Sequence, residues 1–305
     1  MENNPTAYPR LIMGCDRFLR KNYTLKGEEA RENIYGIMKA AVAGGADGVD
    51  VNIDSEDVFE AFKRLKTEIP TLTGIGDPNM NCGFSYNGTH LKTYEKQIIR
   101  TVFNNCLSEK GKKIISEKNS LYLKSFFNLQ GADISDGLFD VSDIYLDKGK
   151  WLERIERLSE YCEYCLFGAD YADWLIALCR DDLLGYQCRT ILEAGMHPVS
   201  VSHWTSVSLP VLDKLEGVVG HWVLSNEDCV SFDLKSAVEA IEESQGIITG
   251  FRVLRGLERF FPVEHSITWA AENLKIKHFT IGATETAENT EKLFKEVSRK
   301  IKEII

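Results

Sequence analysis

Carboxylate, imidazole and guanidinium side chains stand at the ends of several short, apolar, β-branched runs of this chain. Asp16 and Arg17 follow residues 11–15, and Asp50 and Asn52 close residues 48–52. Asp170 and Tyr171 come just after Gly168, and His203 and Trp204 close residues 199–202. His221 and Trp222 lie within the run 217–224, Asn226 follows it, and Arg252 stands between Gly250 and Gly256. Such a set suits general acid/base chemistry on a polar substrate: a carboxylate or imidazole removes a proton while an arginine stabilises oxyanion charge. Asp50, Asp170 and His203 are the candidate catalytic groups. Asp16, Arg17, Asn52, Tyr171, Trp204, His221, Trp222, Asn226 and Arg252 are the candidate substrate-binding groups.

Each of these has a structural alternative. Asp16 and Asp170 suit helix caps or turns. His203 suits a satisfied core histidine, and His221, inside its strand, suits one better. Trp204 and Trp222 suit core packing as well as a pocket wall. Arg252 suits a salt bridge as well as an anionic or carbonyl oxygen. Two Asp and two His make a divalent metal conceivable, but the chain has no H-x-H or H-E-x-x-H spacing, so a metal ranks below metal-free acid/base chemistry. No G-x-S-x-G is present and no cysteine has an evident histidine partner, which leaves no Ser or Cys nucleophile. Cys162-Glu163-Tyr164-Cys165 lacks a second such pair and reads as a helix-to-strand junction.

These residues need elements to hold them at one place. Strands are expected over 11–15, 48–52, 71–75, 121–127, 165–167, 198–202, 217–224, 246–253 and 278–282, separated by amphipathic helices such as 28–43, 55–65, 151–161 and 263–273. Long connections at 76–90 and 129–149 are rich in Gly, Asn and Asp, as lids and partner surfaces often are. Repeated strand–helix units imply parallel strands, because a parallel pair requires a crossover connection. The dinucleotide-binding G-x-G-x-x-G is absent after the first strand. The expectation is a single-domain (β/α)8 TIM barrel, with one of 121–127 and 165–167 outside the ring and with active-site residues at the C-terminal strand ends.

The chain has 305 residues and a formal net charge of -10, which speaks against a general nucleic-acid or anionic-membrane binder. No apolar run approaches the roughly 18 residues that span a bilayer, and the first residues lack a secretory layout. A cytoplasmic protein with reduced thiols and a small-molecule substrate is expected.

Residues 43–50 (AGGADGVD) with 55–63 (SEDVFEAFK), 246–256 (GIITGFRVLRG), and 279–284 (FTIGAT) with Glu288-Asn289 resemble the second, seventh and last strands of the aldo/keto reductase superfamily. The resemblance covers about a third of the chain and implies a TIM barrel with Asp50 as the family's aspartate. It also implies a tyrosine soon after Asp50, a lysine ending the third strand, a histidine ending the fourth and a cation near the last strand for NADPH. Here Ile53-Asp54-Ser55 stands where the tyrosine would, the third strand runs into Gly76-Asp77, and Thr284, Glu285, Glu288 and Glu291 replace the cation. Three readings follow. The first is a barrel that keeps the fold and acts by non-redox acid/base catalysis on a small carbonyl- or hydroxyl-bearing compound, with no cofactor. The second is a divergent NAD(P)H-dependent reductase using Tyr171 or His203 as proton donor. The third is a non-catalytic binding barrel within an assembly.

Overall fold

This computed structural model describes residues 7–79, 83–101, 109, 140–230, 233–255 and 260–304, except the side chains of Lys96, Ile99 and Asp170. In chain order the strands are β1 (Leu11–Gly14), β2 (Gly48–Asn52), β3 (Thr73–Asp77), β4 (Phe84–Tyr86), β5 (Thr89–His90), β6 (Ile144–Leu146), β7 (Tyr164–Gly168), β8 (His197–Ser202), β9 (Gly220–Leu224), β10 (Ile247–Phe251) and β11 (His278–Gly282). Eight of them close a barrel in the order β1-β11-β10-β9-β8-β7-β3-β2, and every pair in the ring is parallel. The architecture is that of a (β/α)8 TIM barrel.

The helices are α1 (Gly27–Ala43), α2 (Glu56–Glu68), α3 (Glu95–Thr101), α4 (Lys148–Ser159), α5 (Asp170–Ala177), α6 (Asp181–Glu193), α7 (Thr205–Leu212), α8 (Leu234–Glu243), α9 (Val263–Leu274) and α10 (Ala287–Ile304). Ser55 starts α2 by accepting the Val58 N–H at 3.3 Å, and Asp147 starts α4 by accepting that of Lys150 at 3.2 Å. Such caps satisfy amides that have no partner inside the first turn. None of the described helices is long and apolar enough to cross a membrane.

Two apolar layers follow from the strand alternation. Ile12, Ile75, Tyr164, Leu166, Val199, Val201 and Trp222 fill the barrel interior with Tyr8. The alternate strand residues, such as Met13, Val49, Cys165 and Val223, pack outward among the helices. Tyr8, in the segment before β1, plugs the N-terminal end of the barrel: its hydroxyl accepts from Trp222 Nε1 at 2.8 Å and bonds Thr249 Oγ1 at 3.2 Å.

Two local features depart from the sequence reading, and an alternative that it left open is decided. The third strand sits two residues later than 71–75, because Gly76 is a strand residue and not the start of a loop. A Cβ at Gly74 would lie 2.8 Å from Phe62 Cζ, and one at Gly76 3.0 Å from Leu158 Cδ1. The bare outer face of β3 is what lets α2 and α4 pack against it. The fourth ring position belongs to β7, which pairs directly with β3, whereas 121–127 lies outside the described residues. Helix α6 starts without a proline or glycine signal, because the break before it is made by Cys179 at φ 58°.

Between β3 and β7, the antiparallel sheet β5-β4-β6 stands beside the barrel. Phe84 of β4 packs edge-on against Tyr171 with ring centroids 5.6 Å apart.

Candidate active site

Parallel pairing puts the C-terminal ends of all eight barrel strands at one mouth. On the β1–β2–β3 side, register aligns Asp50 with Ile75 and Asn52 with Asp77, so these four side chains face inward in two successive layers. Asp50 and Asp77 are buried, at 6% and 7% exposure. Asn52 donates its Nδ2–H to Asp77 Oδ2 at 2.5 Å, and its Oδ1 accepts the Asp54 N–H at 2.9 Å, which fixes the amide orientation. The Cys15 N–H donates to Asp50. Among the described residues, Asp50 Oδ1 and Asp77 Oδ1 are buried without a hydrogen-bond partner.

Burial, and then the charges of Asp77 and Asp16, hold the Asp50 carboxyl well above the usual carboxylate range. Burial, and then the charge of Asp16, push Asp77 up to about 7, against the lowering effect of the hydrogen bonds from Asn52 and the Asn79 amide. Asp16 itself is exposed at the rim, and neighbouring Arg17 pairs with Glu285 at 3.2 Å. Asp77 was missed in the sequence because ending the strand at residue 75 turned an inward strand residue into a loop residue. The strand-end rule that found Asp50 finds Asp77 once the register is known.

His203 stands on the same rim, where β8 is the third strand around the ring from β2. It is buried, and its ring meets Phe251 edge-on at 5.4 Å. Asp173 of α5, fully buried, anchors it. The Asp173 carboxylate accepts the backbone N–H of His203 at 2.9 Å, that of Trp204 at 3.1 Å and the Ser208 hydroxyl at 2.5 Å, and it lies 3.4 Å from His203 Nδ1. Asp173 thereby caps the start of α7 from another helix, a role that no local sequence pattern signals.

The other sequence candidates are dispersed. Asp170 opens α5, and its side chain lies outside what is described. Tyr171 is buried between Phe84 and Trp174, under the small sheet. Trp204 is buried at the start of α7. Trp222 fills the barrel interior and reaches down to Tyr8 rather than up to the mouth. His221 points outward between sheet and helices: Nδ1 bonds Ser200 Oγ at 2.7 Å and Nε2 bonds Asp213 Oδ1 at 2.9 Å. Burial holds its pKa below the ordinary imidazole value despite Asp213. Asn226 ties two rim loops together by donating to the Val253 carbonyl at 2.9 Å. Arg252 is exposed, with φ 55°. Cys162 and Cys165 are buried thiols whose pKa values burial raises, which suits a structural role rather than a reactive pair.

Among the described residues no group of three or more His, Cys, Asp and Glu is arranged to hold a metal ion. A cavity of about 480 Å3 lies between the end of α1 and α10, and one of about 240 Å3 lies between Ile53 and α4. Neither includes Asp50, Asp77 or His203.

No family model matches the chain, and no curated protein does. Solved structures of similar shape include thiamine phosphate pyrophosphorylase from Pyrococcus furiosus, with 9% identity, TM-score 0.48, and coverage of 97% of this chain and 96% of that one. The 2-keto-3-deoxy-6-phosphogluconate aldolase of Zymomonas mobilis shares 13% identity at TM-score 0.48, covering 96% and 92%. A sugar phosphate isomerase/epimerase from Parabacteroides distasonis shares 9% at TM-score 0.40, covering 96% and 94%. Likeness this distant carries no argument about chemistry, and the barrel rests on its own strand pairing. The three segments that resemble aldo/keto reductases occupy the second, seventh and eighth ring positions. The fourth strand ends at Gly168-Ala169, again with no histidine, and the third ends in Asp77 where that family has a lysine.

Proposed function

We propose that this barrel is a metal- and cofactor-independent acid/base enzyme acting on a small polar carbonyl- or hydroxyl-bearing compound. The observation that carries the reading is the pair of inward carboxyls, Asp50 and Asp77, buried at the mouth with one oxygen each that has no partner among the described residues. A buried polar atom that lacks a partner is destabilising, and such atoms concentrate where a ligand completes the set. In this reading Asp77, pushed up to about 7, is poised to accept a proton near neutral pH. Asp50, whose carboxyl burial and its acidic neighbours hold well above the usual carboxylate range, delivers one. Asp77 takes a proton from a C–H or O–H bond of the substrate while Asp50 protonates the carbonyl or leaving oxygen. In an isomerisation Asp50 then takes the proton of the neighbouring hydroxyl and Asp77 gives its own to the adjacent carbon. In an elimination Asp77 loses its proton to water and Asp50 regains one from it. Asn52 keeps the accepting carboxylate in place. His203, anchored by Asp173, offers a further proton-transfer group across the mouth.

Reduction by a nicotinamide is the second reading, favoured by the ring positions of the three resembling segments. Against it stands Asp77: a carboxyl in place of the lysine raises the pKa of a neighbouring proton donor instead of lowering it. Carbon-13 labelling of aspartate, followed by NMR titration, tests the first reading directly. Asp77 is expected to titrate near 7 and Asp50 well above the ordinary carboxylate range. Ordinary carboxylate titration of both would overturn it, as would NADPH binding with hydride transfer to any aldehyde or ketone.

A further inference from the structure

The mouth is built asymmetrically. On the β9–β10 side the inward residues are bulky, Leu224 and Phe251, in register with one another. On the β11–β1 side they are glycines: Gly14 pairs with Gly282. A Cβ on Gly282 would find nothing within 4 Å, and one on Gly14 would find Thr280 Oγ1 at 3.6 Å. Thr280 faces inward, in register with the interior Ile12. It is 9% exposed, and its hydroxyl oxygen is buried with no partner among the described residues. Four neighbouring strands, β11, β1, β2 and β3, therefore line an open stretch of the mouth with three unsatisfied oxygens, from Thr280, Asp50 and Asp77.

Charge sorts the ligands that would fit there. Asp16 adds to the field at both buried carboxyls, and Asp54 adds to it at Asp77. Arg17, next to Asp16 in the chain, is paired with Glu285 at 3.2 Å, and Arg154 is paired with Asp54 at 2.5 Å. A phosphate or carboxylate entering here would meet Asp16, Asp54 and Asp77, all of its own sign, with only the hydroxyl of Thr280 and the proton of Asp50 to offset them among the described residues. An ammonium group has three donors, no acceptor and the opposite charge.

We propose that this wall of the mouth receives a small organic cation, so that the substrate carries a protonated amine and is neither phosphorylated nor carboxylated. The proposal rests on reading the mouth as the acid/base site and deepens it by naming the substrate class. An amine seated against Asp16, Asp77 and Thr280 leaves its adjacent hydroxyl or carbonyl carbon to the two carboxyls.

The test is a titration of the full chain at about pH 7 with ethanolamine, glucosamine and putrescine, each against its uncharged counterpart: ethylene glycol, glucose and 1,4-butanediol. Glucose 6-phosphate completes the panel. Backbone amide shifts around Gly14–Asp16 and Thr280–Gly282 are the readout. At least one amine is expected to saturate about tenfold more tightly than its counterpart, with glucose 6-phosphate silent at those amides. The preference is expected to vanish in Asp16→Asn, an exposed change that spares the fold, and in Asp77→Asn. Equal binding of the neutral counterparts, shifts caused by the phosphate ester, or no saturable amine would each overturn the proposal. Should no amine bind while Asp77 still titrates near 7, the substrate class falls and the acid/base reading stands. Ordinary titration of Asp77 removes the acid/base reading first.

Discussion

Two buried carboxylate sites in this molecule differ in one respect. Asp173 is 0% exposed, yet two backbone amides and a hydroxyl donate to it. Asp50 and Asp77 are also buried, at 6% and 7% exposure, but each keeps an oxygen with no donor among the described residues. Hydrogen bonds to the charged form favour it, whereas burial beside like charge disfavours it. Asp173 is accordingly a fastening between α5, β8 and α7. Asp50 and Asp77 stand beside like charge, and one oxygen of each has no donor among the described residues. Burial alone therefore does not separate the two kinds of carboxyl; the balance of donors and neighbouring charge does.

The comparison breaks most visibly at Asp173. Asp173→Ala leaves the His203 and Trp204 amides and the Ser208 hydroxyl unpaired in the interior. The expected loss is about 3–5 kcal/mol, a melting temperature lower by roughly 10 °C, read by thermal denaturation. A melt within a degree or two of the parent would mean that these donors find other acceptors and that Asp173 fastens nothing.

Asp77→Asn should act in the opposite direction. The Asp77 pKa is raised in the folded state, so its contribution is fully present below the ordinary carboxylate value and is lost as pH rises through about 7. Removing the charge removes that loss. At about pH 8 the variant should be more stable by on the order of 2 kcal/mol, and at about pH 3 the difference should vanish. Urea unfolding at the two pH values checks this. A variant less stable than the parent at the higher pH would show that the donors to Asp77, Asn52 and the Asn79 amide, outweigh its burial and neighbouring charge.

The contrast also explains what could be read in advance. Alternating apolar runs and helices gave the barrel, because parallel strands buried on both faces must be joined by crossover helices. Asp50 and Asn52 were legible because β2 has a sharp polar end after a wholly apolar start. Asp77 was not, since Gly76 imitates the start of a loop unless one knows that Leu158 presses against it. His221 illustrates a different limit. In Gly220–Leu224 every residue is buried, so alternation could not tell the face toward the helices from the face toward the interior. Asp173 was hidden because it caps a helix from a neighbouring element, and its partners at 203, 204 and 208 are some thirty residues away.

A pH slope sharpens the comparison further. With Asp50 and Asp77 both changed to Asn, the two groups whose stability contribution grows on acidification are gone. His221 and His278 then dominate between neutrality and about pH 5, since burial depresses both. A depressed histidine contributes above its unfolded value, and that contribution is lost as pH falls through the folded one. The double variant should lose about 1–2 kcal/mol over that interval, while the parent changes less because the carboxyls compensate. Parallel slopes in the two proteins would place the raised acids elsewhere.

The smallest effect isolates the role of a single hydroxyl. Thr190 Oγ1 accepts from Trp151 Nε1 at 2.8 Å and donates to the helix carbonyls of Tyr186 or Gln187. Thr280 Oγ1 is buried with no such partner among the described residues. Valine is nearly the same shape as threonine, so Thr190→Val strands the Trp151 N–H and should cost about 1 kcal/mol or more. Thr280→Val removes an unsatisfied oxygen and should change stability by less than about 0.5 kcal/mol, or raise it slightly. Chemical denaturation of the two variants side by side is sufficient. Equal losses would mean that Thr280 is satisfied in the folded protein, and the open wall beside Gly14 and Gly282 would then have one fewer oxygen to offer a ligand.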